Sequence, residues 1–148
     1  MEFKIDAYKK VGPLRFGMSQ QEAEKAVGHI DRVVNTPDGI IELYNFLFDV
    51  VAQVQKNSDQ LIEVGFGHRA TGVSLNDIRF FEQSQQEVLS ELYKIDSNAF
   101  IGHGAIVFLN LGVSLTGFQS DDDNTRAITA FAKGGWDDII PSMKTFAL

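Results

Sequence analysis

The chain has 148 residues, 44% of them apolar and 22% charged, with a formal net charge of −7. That is ordinary globular usage and enough length for one sizeable core. The absence of Cys excludes disulfides, thiolate metal sites and a Cys nucleophile, the negative charge disfavours nucleic acid as a partner, and no apolar run approaches the roughly 20 residues that span a bilayer.

In chain order, Phe3–Tyr8 alternates and predicts a short strand, Val11-Gly12-Pro13 a turn, and Leu14–Met18 an extended lead-in. The first helix is well marked. Ser19 is its N-cap, Glu22 stands where a capping box needs it, Gly28 is its stop, and Ala23, Ala26 and Val27 form its inner stripe. Pro37-Asp38-Gly39 then turns the chain, and strands are predicted over Ile40–Asn45, Val50–Gln55 and Leu61–Gly67. His68–Gly72 is a connector.

The chain then says the same thing again. Phe16-Gly17-Met18-Ser19-Gln20-Gln21-Glu22 returns 65 positions later as Phe81-Glu82-Gln83-Ser84-Gln85-Gln86-Glu87. At the same offset Ile30-Asp31 returns as Ile95-Asp96, Gly39 as Gly104, Ile41 as Ile106, Asn45 as Asn110 and Phe66 as Phe131. A second helix is expected from Ser84 to about Lys94–Asp96, with Val88, Leu89, Leu92 and Tyr93 inward, then strands over Ala105–Asn110, Gly112–Phe118 and Thr125–Lys133. A fourth strand before each helix would complete the unit. The tail from Gly134 to Pro141 predicts a final short helix limited by Pro141. The expectation is one α+β domain of two tandem helix-plus-antiparallel-sheet repeats, 1–67 and 73–140, with helices on one sheet face and the other face partly open.

Catalytic and metal chemistry find no pattern. Glu22 and Glu87 are explained by capping. His29, His68 and His103 have no second ligand at helical or strand spacing, and neither Gly102-His103-Gly104 nor Gly65-Phe66-Gly67 has a phosphate-loop context. Asp121-Asp122-Asp123 lacks the alternating oxygens, glycine and terminal Glu of a calcium loop, and reads as a solvated hairpin tip or a docking contact for a basic partner. No metal, cofactor or catalytic set is expected. The candidates for partner binding are Asp121, Asp122 and Asp123; Trp136, an aromatic anchor rimmed by Asp137 and Asp138; and Glu42, Tyr44 and Asp49, the first two sharing a strand face.

The stretch Val11-Gly12-Pro13-Leu14-Arg15-Phe16-Gly17-Met18-Ser19-Gln20-Gln21-Glu22, closed by Gly28, resembles the opening of small bacterial domains similar to beta-lactamase inhibitory protein. The resemblance implies tandem repeats whose concave sheet face grips a partner. Ile128-Thr129-Ala130-Phe131-Ala132-Lys133-Gly134-Gly135-Trp136-Asp137 is similar to the close of immunity proteins encoded beside secreted antibacterial toxins. Envelope-assembly lipoproteins share a Gly-Met helix opening, but this chain carries no lipobox, and Met1–Asp6 does not form a signal peptide. In the second copy Glu82-Gln83 replaces Gly17-Met18, so a different approach to that helix is expected. The resemblance implies a cytoplasmic, non-enzymatic inhibitor that occludes the active site of a cognate basic toxin, such as a nuclease, with neither nucleic acid nor membrane as a partner. The alternative is a small-molecule or peptide-binding module. Neither reading fixes the oligomeric state.

Overall fold

The computed structural model describes residues 1–119 and 123–148, the side chain of Asp123 excepted. Their elements are β1 (Phe3–Asp6), β2 (Lys10–Val11), β3 (Leu14–Arg15), α1 (Gln20–Val27), β4 (Arg32–Asn35), β5 (Ile40–Asn45), β6 (Val50–Gln55) and β7 (Gln60–Phe66). After a connector follow β8 (Val73–Leu75), β9 (Ile78–Arg79), α2 (Gln85–Ile95), β10 (Ala99–Gly102), β11 (Ala105–Phe108), β12 (Val113–Thr116), β13 (Ala127–Phe131) and β14 (Lys144–Thr145). The fold is mixed α+β and mostly sheet, and neither sheet closes into a barrel.

A nine-stranded sheet runs β14-β10-β11-β12-β13-β7-β6-β5-β4. It consists of two antiparallel meanders, β4 to β7 and β10 to β13, joined where β7 pairs antiparallel with β13, with β14 added at the β10 edge. A five-stranded sheet, β3-β2-β1-β8-β9, joins the halves a second time through the parallel pair β1–β8. The fourth strand of each meander thus follows its helix. What immediately precedes each helix is a two-stranded hairpin in the smaller sheet, β2–β3 or β8–β9, and the strand expected at Phe3–Tyr8 is present as β1 beside the first of them.

One face of the large sheet holds the core. Ile41, Leu43, Ala52, Val64, Phe66, Ile106, Phe108, Leu115 and Ile128 form one buried cluster with Ala23 and Val27 of α1, Val88, Leu89 and Leu92 of α2, and Phe3, Val11, Leu14 and Val73 of the small sheet. Each such large side chain contributes about 1.5–3 kcal/mol. Phe3 fixes the small sheet to the large one, its ring packing edge-on against Phe66 at 5.0 Å between centroids and Phe48 at 6.1 Å.

Both helices start as the sequence predicts. Around α1 the capping box is complete: Glu22 N–H donates to the Ser19 hydroxyl and the Ser19 N–H to the Glu22 carboxylate. At α2 the Ser84 hydroxyl accepts from Glu87 N–H, while the Glu87 carboxylate takes the Ser84 hydroxyl at 3.2 Å. The approaches to the helices also differ, as Glu82-Gln83 suggested. Gly17 N–H donates to Leu61 O and Leu61 N–H to Met18 O, pinning the first approach to β7 by backbone alone. The second is held by the buried Arg126, whose guanidinium donates to the carbonyls of Phe80, Phe81 and Gln83 and lies over the rings of Phe81 and Phe118.

Most echoed residues occupy matching places. Gly39 and Gly104 turn the chain into β5 and β11 at φ +82° and +77°, where a side chain would be strained. Asp31 and Asp96 tie the end of each helix to the hairpin beyond. Asp31 accepts from Phe46 N–H at 2.7 Å, and Asp96 from Asn110 N–H at 2.9 Å, from its side-chain amide at 3.0 Å and from Asn98 N–H at 2.9 Å. Phe66 and Phe131 break the pattern. Val50 pairs with Phe66, but Leu115, its counterpart 65 residues on, pairs with Ile128. The shorter return to β13 turns Phe131 to the face opposite the core cluster that Phe66 joins.

The tail forms consecutive turns and a single 3-10 turn at Ile140–Ser142 rather than the expected short helix, because Pro141 removes a backbone donor. Beyond it β14 pairs with β10, and Phe146 tucks against Phe108 and Tyr93 on the core side.

Buried Asp96 holds three donors, two of them backbone amides, whereas exposed Asp31 holds one backbone amide. Asp96→Ala is expected to lose about 3 kcal/mol of unfolding free energy in urea and Asp31→Ala about 1 kcal/mol. Equal losses would contradict this account of the echo.

Candidate functional site

The two halves of the large sheet's outer face are treated differently. Ala105, Val107, Ser114 and Phe131 point away from the core cluster yet are buried at 4%, 0%, 4% and 1% exposure. Their roof is the segment that follows β13. Trp136 packs on Phe131 at 6.3 Å, Met143 lies against Gly102, and His103 Nε2 meets the Ser142 hydroxyl at 2.7 Å. That hydroxyl also lies 2.7 Å from Ile139 O, so the contact joins the turn between β10 and β11 to the roof.

Over β4 to β7 the corresponding face is bare among the described residues. Ile40, Glu42 and Tyr44 of β5, Val51 and Gln53 of β6, and Glu63 of β7 are half-buried, and of these Glu63 alone lines a cleft with residues of the roof. Strand register arranges them in rows. One row is Tyr44, Val51, Gly65 and Thr129; the next is Glu42, Gln53, Glu63 and Phe131. At about 4.8 Å per strand, the second row carries carboxylate, amide, carboxylate and aromatic ring across about 14 Å.

Glu42 is held in place, accepting from the Tyr44 hydroxyl at 3.1 Å and the Gln53 amide at 3.4 Å. Burial and the neighbouring Glu42 push the Tyr44 phenol above its ordinary pKa. Glu63 is different. It lies in a cleft of about 280 Å³ lined by Gln55, Ile62, Ala132, Lys133, Gly134 and Gly135, where the bare half meets the roof. No donor among the described residues reaches its carboxylate, and burial raises its pKa.

The sequence candidates fall in separate places. Glu42 and Tyr44 sit together on the bare half. Asp49 stands in the turn beyond them, its carboxylate accepting from Arg69 N–H at 3.0 Å and pairing with the Arg69 guanidinium at 3.8 Å, which ties the connector to the sheet. Asp49 also lines a hollow of about 220 Å³ with Tyr44, Phe46, Val51 and Thr129. Trp136 is half-buried in the roof, with Asp137 and Asp138 exposed beside it. Asp121 and Asp122 lie outside the described residues, as does the side chain of Asp123. Glu63 was not among the sequence candidates. Its signal was a carboxylate in the otherwise apolar run 61–66. Among the described residues no group of three or more His, Asp or Glu is arranged to hold a metal ion, and no helix is long and apolar enough to cross a membrane. Comparison with protein-family models, curated proteins and solved structures gave no match.

The folded state binds the Glu63 proton more tightly than the unfolded chain does. The destabilisation from ionising it is therefore absent below the ordinary carboxylate range, grows as pH rises through the raised value, and is complete above it. Glu63→Gln is expected to melt higher than the wild type at neutral pH, with the difference shrinking as pH falls towards about 4. A difference that is absent at neutral pH, or that grows in acid, would contradict the assigned environment.

Proposed function

We propose that the chain is a cytoplasmic, non-enzymatic inhibitor, an immunity protein that binds a cognate basic toxin, such as a nuclease, and occludes its active site. In this reading the two hairpin–helix–meander units are tandem repeats similar to those of beta-lactamase inhibitory protein. The observation that carries it is the unequal treatment of the sheet's outer face: one half is roofed by the chain's own tail, and the other presents Glu42, Tyr44, Gln53 and Glu63. Such a face suits steric occlusion, with Tyr44 as an aromatic anchor beside the fixed Glu42 carboxylate. The exposed Phe46 and Leu47 at its rim add apolar contact area. The net charge of −7 favours encounter with a cationic partner. Trp136, Asp137 and Asp138 belong to the roof, where Asp137 lines a separate cleft beside Tyr8, Asn98 and Asn110.

The alternative, a small-molecule or peptide-binding module, draws support from a polar cleft of about 450 Å³ between Tyr8, Asn98, Asn110, Lys133 and Asp137.

The test is co-purification with the toxin encoded by the neighbouring gene and protection against its activity. Binding is expected at low salt, weakening as salt rises, with Tyr44→Ala costing roughly tenfold or more in affinity. No binding at low salt, together with thermal stabilisation by a metabolite, would overturn the inhibitor in favour of the alternative.

A further inference from the structure

Glu63 stands out among the carboxylates because it is partly desolvated, walled on one side by the roof, and lacks a donor among the described residues. Asp96, the buried carboxylate, is by contrast satisfied by three donors within the chain. A carboxylate kept in that condition is stabilised by any cation that enters its cleft with hydrogen-bonding geometry.

We propose that the Glu63 cleft is a receptor for an arginine or lysine side chain on an extended basic segment of the protein partner, with Glu42 taking a second cation two strands away. This rests on the reading of the chain as a protein-binding inhibitor and names the chemistry of what it binds.

Three observations carry the proposal. The first is Glu63 itself, reachable from the bare half. Lys133 lines the same cleft but forms no ion pair with it among the described residues, which leaves the carboxylate open to an incoming guanidinium. The second is Glu42, presented on the same face by Tyr44 and Gln53. Glu42 and Glu63 flank Gln53 across β6, two strand spacings or about 10 Å apart. Alternate side chains of an extended segment are about 7 Å apart, and the reach of arginine or lysine covers the difference. The third is the roofed half, where an irregular segment of this same chain covers the same sheet through one aromatic ring, one Met and few hydrogen bonds. The face therefore accepts an irregular segment as cover. The bare half differs in chemistry, with Glu42 where the roofed half has Val107 at the 65-residue offset, so its occupant is cationic where the roof is apolar. Arg32 at the β4 edge and Lys133 at the cleft are the cations that border it. They repel a cationic segment and so set the limits of the site, which lies between them.

The probe is a blocked peptide of alternating arginine and glycine, with a citrulline peptide of the same length as the neutral control. Titration into the full chain at low salt is followed by backbone amide shifts and Trp136 fluorescence. The arginine peptide is expected to shift the amides of Gln53, Glu63, Gly134 and Gly135, and the citrulline peptide to leave them unmoved. Glu63→Gln, which keeps the side chain's shape, is expected to weaken arginine binding about tenfold. Asp77→Asn, which removes one negative charge from an exposed turn of the small sheet, is expected to change it less than twofold. Equal binding by wild type and Glu63→Gln, or shifts centred away from the bare half, would overturn the proposal. A cognate toxin that binds Glu63→Gln as tightly as the wild type would overturn this site and leave the inhibitor standing. Arginine peptide bound at Glu63 with no toxin bound would uphold the site and overturn the inhibitor.

Discussion

The pairing of β7 with β13 is the constraint on which the rest of the structure depends. A single four-stranded meander with one short helix has too little apolar surface to bury. Joined at this seam, two meanders share one core, and the parallel β1–β8 pair closes the same joint from the other side. The seam also sets the site. Its register puts Glu63 opposite Phe131, so the residue that receives the roof on one half is the cross-strand neighbour of the carboxylate that borders the bare half.

Local interactions then lock each half to the seam, and they do so unequally. Backbone bonds between Leu61 and the Gly17-Met18 pair fasten the first helix, while the Arg126 side chain fastens the second. Asp96 is buried with three donors; Asp31 is exposed and shares its carboxylate with His29 at 3.1 Å. The segment after β13 lies on the second half, wrapping the β10 edge to insert Phe146 on the core side. The segment at the end of the first half is consumed as the connector to β8 and cannot roof its own meander. A bare half-face follows from that connectivity.

Much of this was legible in the sequence. Both helices start at the predicted caps, and β5 and β6 have the predicted bounds, because turn residues flank both strands. The edge strand β4, Arg32–Asn35, was not legible, since exposure on both faces leaves no alternation to read. In the small sheet β1 was legible from its alternation, whereas the other strands, two or three residues long, are too short for a period. Phe131 changed faces because the return to β13 is shorter than the return to β7, and a one-residue parity change flips a side chain across a sheet. Glu63 was hidden by the irregularity between Gln53 and Val54, which leaves Ile62 and Glu63 consecutively half-buried and spoils the alternation that would have assigned its face. Glu42 and Tyr44 were legible as partners on one face because β5 alternates without a break.

Native-state hydrogen exchange in rising denaturant tests the seam most directly. If one sheet and one core span both halves, the slowest amides of β5 to β7 and those of β11 to β13 will converge on a single opening free energy with a single denaturant slope. Two separate isotherms, with one meander opening while the other stays closed, would contradict the account.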